Sequence, residues 1–429
     1  MNWKQYGSAV DACRSLTVEG KVVRVTGLVA EGEGPGAGIG SMCYICNGEG
    51  RRLLSEVVGF KDSRIMLMPY GEMRGITPGC KITLVRDKPF VPVGEGYLGR
   101  IVDGFGEPLD GGGKVTANVH YPLYGQVVNP MQRRNIREVT DVGVAAINSM
   151  VTLGRGQRIG IMSGSGVGKS VLMGMMARHT SADVSIVALI GERGREVKDF
   201  VEQTLGPDGL KKSVVVAATS DVSPLVRMRG AYFATTLAEY FRDRGLNVLL
   251  LMDSITRFAM SARDVGLAVG EPPTVKGYTP SFFVQLPKLL ERAGSIEGKG
   301  AITGIYTVLV EGDDMNDPVG DAVRSVVDGH IVLSRNLANR GHYPAIDVPA
   351  SISRVMRDVV DPEDMKLCLR VKEILATYRD AEDLISIGAY VEGTDPKVDY
   401  AKKIIGRINE FLRQERGAPG GPLSPGALF

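Results

Sequence analysis

The sequence runs to 429 residues, enough for two or three domains at roughly 100–200 residues each. Its 51 basic and 49 acidic side chains leave a formal charge of only +2, which argues against a long polybasic nucleic-acid arm or an acidic tail while leaving room for a local patch. Hydrophobic residues at 44% can build a real core, and glycine at 55 positions stands well above the ~7% usual in proteins. No collagen-like period accompanies these glycines, so they punctuate loops.

No apolar run approaches the ~18 residues of a membrane span, and the opening MNWKQYGSAVDACRS lacks the apolar core of a signal peptide. Five cysteines are too scattered for a disulfide framework. Cys43 and Cys46 form one CxxC, but no second pair follows and no histidine lies nearby, so it reads as strand rather than as a zinc or redox site. The expectation is a cytoplasmic protein.

In chain order, residues 1–17 form a short N-terminal segment in which Tyr6, Val10 and Cys13 share a helical face, with a frayed terminus as the alternative. Residues 18–90 read as a small β-barrel domain, built from VEGKVVRVTGLV, SMCYICN, LLSEVVGF, RIMLMPY and KITLVR. Between them EGEGPGAGIG is a glycine-rich loop, and residues 94–113 carry so many turn signals that they read as a connector.

From about Gln157 the pattern changes. Continuous apolar strands (RIGIM, VSIVALIG, SVVVAAT, NVLLLMD, GIYTVLVEG, HIVLSR) alternate with helical stretches. That alternation predicts a buried, mainly parallel sheet with helices on both faces, an α/β core over residues 91–357. Leu237, Tyr240 and Phe241 mark the core face of one of its helices. Residues 358–429 read as a helical domain with a flexible, frayed tail. Asp361-Pro362 and Asp395-Pro396 look like helix N-caps followed by proline at the first helical position. Two apolar stripes follow: Leu367, Val371, Ile374, Leu375 and Tyr378, then Val398, Ala401, Ile405, Ile408 and Leu412.

The chemistry-bearing signals sit in the α/β region. GSGVGKS, comprising Gly164, Ser165, Gly166, Val167, Gly168, Lys169 and Ser170, follows one strand and precedes a helix, as a P-loop requires. Its glycines let backbone N–H groups curl around a phosphate, and the helix turns its positive end to the anion. Lys169 would reach the β- and γ-phosphates and Ser170 would ligate Mg²⁺. Ser163 stands where the motif has glycine. NVLLLMD ends in Asp253, a carboxylate expected beside the P-loop strand, where it can hold Mg²⁺ through water. GERGREV ends another strand, so Glu192 should point at the nucleotide and polarise the attacking water, with Arg193 neutralising phosphate charge. Arg195 and Glu196 read as solvated or ion-paired helix residues.

These motifs, with AEYFRDRG, GEPPTVKGYTPS, LPKLLERAG, DGHIVLSR and HYPAIDVPASISRV in the same order, resemble the hexameric ATPases related to the rotary ATP synthase α and β subunits. Among these the chain looks like the type III protein-export ATPases, and SDVSPLVRMRGAYFAT is similar to the flagellar branch. The resemblance implies a RecA-like P-loop core, ATP and Mg²⁺ as substrate and cofactor, and a homohexamer with its sites at subunit interfaces. It places an aromatic ring against adenine at Tyr343 and an arginine finger reaching the neighbouring subunit at Arg354; Arg257 is a further candidate to face the site. It also implies a regulatory stator-like protein, a central stalk-like protein, export chaperones with their cargo, and peripheral contact with a membrane export gate.

Other readings are a virulence-type secretion ATPase, a rotary synthase subunit, or an RNA-translocating helicase. A non-catalytic synthase subunit usually has a non-acidic residue where this chain has Glu192. The segment EILATYRDAEDLISIGAY lacks the acidic run that synthase β subunits present to their shaft. An RNA platform needs basic and aromatic residues, and residues 17–90 hold few aromatics, so no nucleic-acid partner is expected.

Overall fold

The structure, a computed structural model, describes residues 18–48, 50–310, 317–418, 420 and 424–428. The expected helical face of Tyr6, Val10 and Cys13 lies outside the described residues.

Six strands, β1 (Glu19–Thr26), β2 (Val29–Glu33), β3 (Met42–Cys46), β4 (Arg52–Lys61), β5 (Arg64–Pro69) and β6 (Lys81–Arg86), close into a barrel in the order β1-β2-β5-β4-β3-β6. Alternation along each strand turns Val22, Ile45, Val57, Leu67 and Ile82 into the interior. Cys43 joins that interior while Cys46 is half-buried. Residues three apart on a strand face opposite sides, so this CxxC cannot converge on an ion. The glycine-rich loop begins later than its sequence suggests, because Lys21 pairs with Glu33 and keeps β2 in the barrel.

Beyond the barrel, β7 (Phe90–Val93) pairs with β9 (Val119–Pro122), and β10 (Val139–Thr140) with β11 (Leu153–Gly154). The central sheet contains β8 (Ile101–Val102), β12 (Arg158–Ser163), β13 (Val184–Ile190), β14 (Ser213–Ala218), β15 (Asn247–Asp253), β17 (Ala301–Leu309), β18 (Gly329–Leu333) and β19 (Ile352–Ser353), with β16 (Gly294–Ser295) paired alongside β17. Its order is β19-β18-β12-β17-β15-β13-β14-β8. All neighbours from β18 to β8 are parallel, while β19 and β16 run antiparallel. Strand β13 is buried at every position, as expected for a sheet covered on both faces. The stretch expected to be only a connector contributes β8 to the edge of this sheet.

Helix Pro224–Asp243 is buried along most of its length, with Leu237, Tyr240 and Phe241 in the core. On this buried helix Glu239 takes a two-pronged bond from Arg292, at 2.9 and 2.5 Å. Removing one partner of such a buried pair costs about 3–5 kcal/mol.

At the C-terminal end, helices Pro362–Ser386 and Pro396–Leu412 pack together. Both Asp-Pro caps form: Asp361 accepts from the Glu363 amide at 2.9 Å and Asp395 from the Lys397 amide at 2.8 Å, each worth about 1 kcal/mol. In the first stripe Val371 and Ile374 are buried with Cys368, whereas Leu367, Leu375 and Tyr378 are half-buried. In the second, Ile404 rather than Ile405 faces inward with Val398, Ala401, Ile408 and Leu412. The frayed-tail expectation is corrected for the described part. Leu428 is 3% exposed in the helical core, and the Ser424 hydroxyl donates to Asp364 Oδ1 at 2.5 Å. An apolar slot and a waiting carboxylate hold a segment whose composition alone reads as loose.

Candidate active site

Parallel register brings the carboxyl ends of the strands to one edge: Ser163 lies beside Leu309 and Leu333, Leu189 beside Asp253, and Ile190 beside Ala218. The loops leaving that edge enclose a cavity of about 510 Å³. Its walls include Gly164, Ser165, Gly166, Gly168, Lys169 and Ser170 from the P-loop, and Glu192, Arg193 and Arg257 from the neighbouring strand ends. Val167 turns the other way and is 2% exposed, anchoring the loop in the core. Gly168, at φ 89, caps helix Lys169–His179, a left-handed conformation that favours glycine. Gly191, at φ 73, leaves space for Arg257, whose Cβ would lie 2.8 Å from any added methyl.

Lys169 Nζ donates to Asp253 Oδ1 at 2.5 Å and lies 3.9 Å from Glu192 Oε1. Asp253 is 2% exposed. Its strand is not beside the P-loop strand, as its sequence suggests; β17 lies between them. The long Lys169 side chain spans that gap, and Thr307 of β17 adds a second bond to Asp253 Oδ1 at 2.7 Å.

Glu192 Oε1 is buried without a hydrogen-bond partner. Burial, then the nearby Asp253 charge, then a hydrogen bond shared with Glu196 push the Glu192 carboxyl up to about 7, against the pull of Lys169. Glu196 is held low by the same Glu192 hydrogen bond. A carboxyl poised near neutrality beside a phosphate cradle suits general-base work. Arg193, with its side chain 81% exposed, stands at the mouth and pairs with Glu196 at 3.7 Å. The Arg257 Nε is buried and unpartnered.

A second pocket of about 720 Å³ adjoins the first and shares Gly166, Gly168 and Val171 with it. Tyr343 forms one side, 46% exposed, its ring within 3.4 Å of a methyl built on Gly168. Residues 413–416 form another side. Gln414 ties this strap down: its amide donates to Tyr343 O at 3.0 Å, its Nε2 to Gly143 O at 2.8 Å, and its Oε1 accepts from the Ala145 amide at 2.8 Å. Arg416 donates to Thr204 Oγ1 at 2.9 Å.

Residues 143–353 match the nucleotide-binding domain of the ATP synthase alpha/beta family, residues 22–85 its beta-barrel domain, and residues 360–420 the T3SS EscN ATPase C-terminal domain. The flagellum-specific ATP synthase of Pseudomonas aeruginosa is 51% identical over 413 residues, covering 95% of this chain and 92% of that one. The chain belongs to the ATP synthase alpha/beta family, among the flagellar-type ATPases. Other members of this family show the same reach. The Bacillus subtilis flagellum-specific ATP synthase is 50% identical over 93% of this chain and 92% of its own. The type 3 secretion system ATPase of Xanthomonas euvesicatoria is 47% identical over 92% and 89%. The assembled ATPase EscN of enteropathogenic E. coli superposes with a TM-score of 0.87 at 44% identity, covering 94% of this chain and 97% of that one. A further structure holds EscN in complex with its central stalk EscO.

Within this family frame, Arg354 is the candidate that the fold keeps apart. It is exposed, and its amide donates to Asp328 O at 2.9 Å, where β19 pairs with the start of β18. The P-loop lies at the other end of β18, about four residues or roughly 13 Å along the strand. Several site residues escaped the sequence reading: Ser220 and Leu309 in the cavity wall, Thr307 behind Asp253, Glu196 as the partner of Glu192, and Gln414 in the strap. Position at the carboxyl end of a strand was a usable signal for Ser220; nothing local marks Gln414.

The oxygen donors suit Mg²⁺. A Ser170 hydroxyl on the wall and the Asp253 carboxylate next to Lys169 match an ion that is commonly held by one carboxylate, phosphates and water. Ser170 and Asp253 would hold it, where it would neutralise charge on the phosphates.

Proposed function

We propose that this ATPase hydrolyses Mg-ATP at the subunit interfaces of a homohexamer and energises type III export of flagellar proteins, acting in substrate unfolding, chaperone release and delivery to a membrane export gate. The observation that carries the reading is the separation of Arg354 from its own P-loop on opposite edges of one sheet. A guanidinium so placed serves a neighbour's nucleotide, and the chain holds both halves of such an interface. In this reading the backbone of Gly164, Ser165, Gly166, Val167 and Gly168 cradles the phosphates, Lys169 and Arg257 bind the γ-phosphoryl oxygens, and Arg193 adds charge at the mouth. Glu192 takes the proton of the attacking water, and the Tyr343 ring stacks on adenine.

Four flagellar relatives at 50–51% identity, against 47% for the Xanthomonas euvesicatoria secretion ATPase, support the flagellar branch, while three further flagellar relatives stand at 43–47%. The EscN–EscO complex supports a central stalk-like partner. A regulatory stator-like protein, export chaperones and cargo complete the set, with no nucleic acid, in a cytoplasmic protein peripherally associated with the inner-membrane export apparatus. Among the described residues no helix is long and apolar enough to cross a membrane.

The test is complementation. Arg354→Ala lowers the rate by about 10³-fold, and so does Lys169→Ala, but mixing the two chains restores activity, because a Lys169→Ala subunit still offers its finger to an intact P-loop. Absence of any recovery in mixtures that co-assemble would sink the interface reading.

A further inference from the structure

We propose that Thr307 is a positioning residue for the divalent-ion site: its hydroxyl locks the Asp253 carboxylate in the orientation that receives the ion. The inference rests on the reading of Asp253 as an ion-holding carboxylate.

Strand β17 reads AITGIYTVL and is buried along nearly its whole length. Thr307 is fully buried there, and burying a hydroxyl costs stability unless it finds a partner. The register makes the partner unavoidable. Met252 lies beside Tyr306, so the next step of the same ladder sets Thr307 beside Asp253. The carboxylate can only accept, so the hydroxyl donates, at 2.7 Å to Oδ1; the Met252 carbonyl is more distant at 3.4 Å. The strand is itself pinned at this end, where the Leu309 amide donates to Thr256 Oγ1 at 2.8 Å. Thr256 lies three residues beyond Asp253 on the following helix, so the two segments are cross-tied on both sides of the carboxylate.

Lys169 and Thr307 share one oxygen of Asp253. These two bonds differ in permanence. When phosphates enter the cradle, Lys169 turns to them and releases Oδ1. The Thr307 bond, built into the sheet, stays. Thr307 is therefore what keeps the carboxylate from rotating once its lysine has gone, and its effect is confined to the nucleotide-loaded, ion-binding state. Partners of this kind behind a metal ligand typically change metal affinity by about 10–100-fold.

The experiment uses the full chain and follows Mn²⁺, as a paramagnetic probe, binding to the ADP-loaded protein by electron paramagnetic resonance, beside binding of a fluorescent ADP analogue in excess chelator. Thr307→Val keeps the shape and removes the hydroxyl; the expected result is Mn²⁺ binding weakened about tenfold, with chelated-nucleotide affinity at the parent value. Thr307→Ser restores the hydroxyl and the tight Mn²⁺ binding, and Thr307→Ala, which needs no apolar methyl beside the carboxylate, reproduces the valine loss. Equal Mn²⁺ affinity in parent, Val and Ala variants overturns the proposal. So does an equal loss of nucleotide and Mn²⁺ binding in the Val and Ala variants, which would mark Thr307 as merely structural. If the parent binds no Mn²⁺ through Asp253, so that Asp253→Asn leaves its binding unchanged, the ion-site reading itself fails, a result distinct from the other two.

Discussion

The cavity along the P-loop and the pocket beside Tyr343 lie side by side and share two P-loop glycines, Gly166 and Gly168, and Val171 of the following helix, yet they are built in opposite ways. The cavity gathers charged and polar side chains, each within a few residues of a strand's carboxyl end, and the parallel register does the gathering. The pocket is made from a helix face, the loop at Tyr343, and a strap that begins at residue 413. One is a local consequence of sheet topology. The other exists only because the C-terminal helices bring distant chain back across the core. In the proposed reading, chemistry is thus concentrated in the part of the site that is hardest to misassemble, and base recognition in the part that domain packing can adjust.

That contrast can be broken at its strong end first. Lys169→Ala removes the cation from the cavity and should lower phosphate release by about 10³-fold. It also lowers the unfolding temperature, because the buried Asp253 carboxylate loses its ion-pair partner, so the rate is compared at a temperature where both chains are folded. A residual rate above a tenth of the parent would mean that the cavity is not the reaction site.

Glu192→Gln should cost at least about 10²-fold. The pH profile sharpens the point. A general base must be ionised, and burial raises the Glu192 carboxyl to about 7, so kcat/KM of the parent should rise with pH and level off above that value. A profile already flat between pH 5.5 and 8 would show that Glu192 is not the base, or that its burial does not tune it.

The smallest effect belongs to the pocket. Tyr343→Ala should weaken ATP binding about tenfold, since stacking on a base is worth about 1–3 kcal/mol, while inhibition by tripolyphosphate keeps its parent strength. Equal loss for both ligands would erase the distinction between the two halves of the site.

Much of this was legible beforehand because the signals were short-range. The strand–GSGVGKS–helix succession, the strand ending in Asp253 and the Asp-Pro caps each state their physics within a dozen residues. What misled was also local. Residues 101–102 look like connector because a two-residue strand has no period to detect. Asp253 seemed to sit beside the P-loop because adjacency in motif order does not fix adjacency in a sheet. Thr307 looked like an ordinary β-branched strand residue until its neighbour was known.

By itself the sequence determined a buried parallel sheet, a barrel before it, helices after it, and the residue types that handle phosphate. The order of the strands, the insertion of β17 between the P-loop and Asp253, the placement of Arg354 on the far edge and the docking of the strap were decided only by tertiary structure. The reason is physical. Hydrophobic period and turn chemistry act through the next few residues, whereas strand order and buried-charge pairing are settled by which surfaces, hundreds of residues apart, can cover one another with every hydrogen bond made.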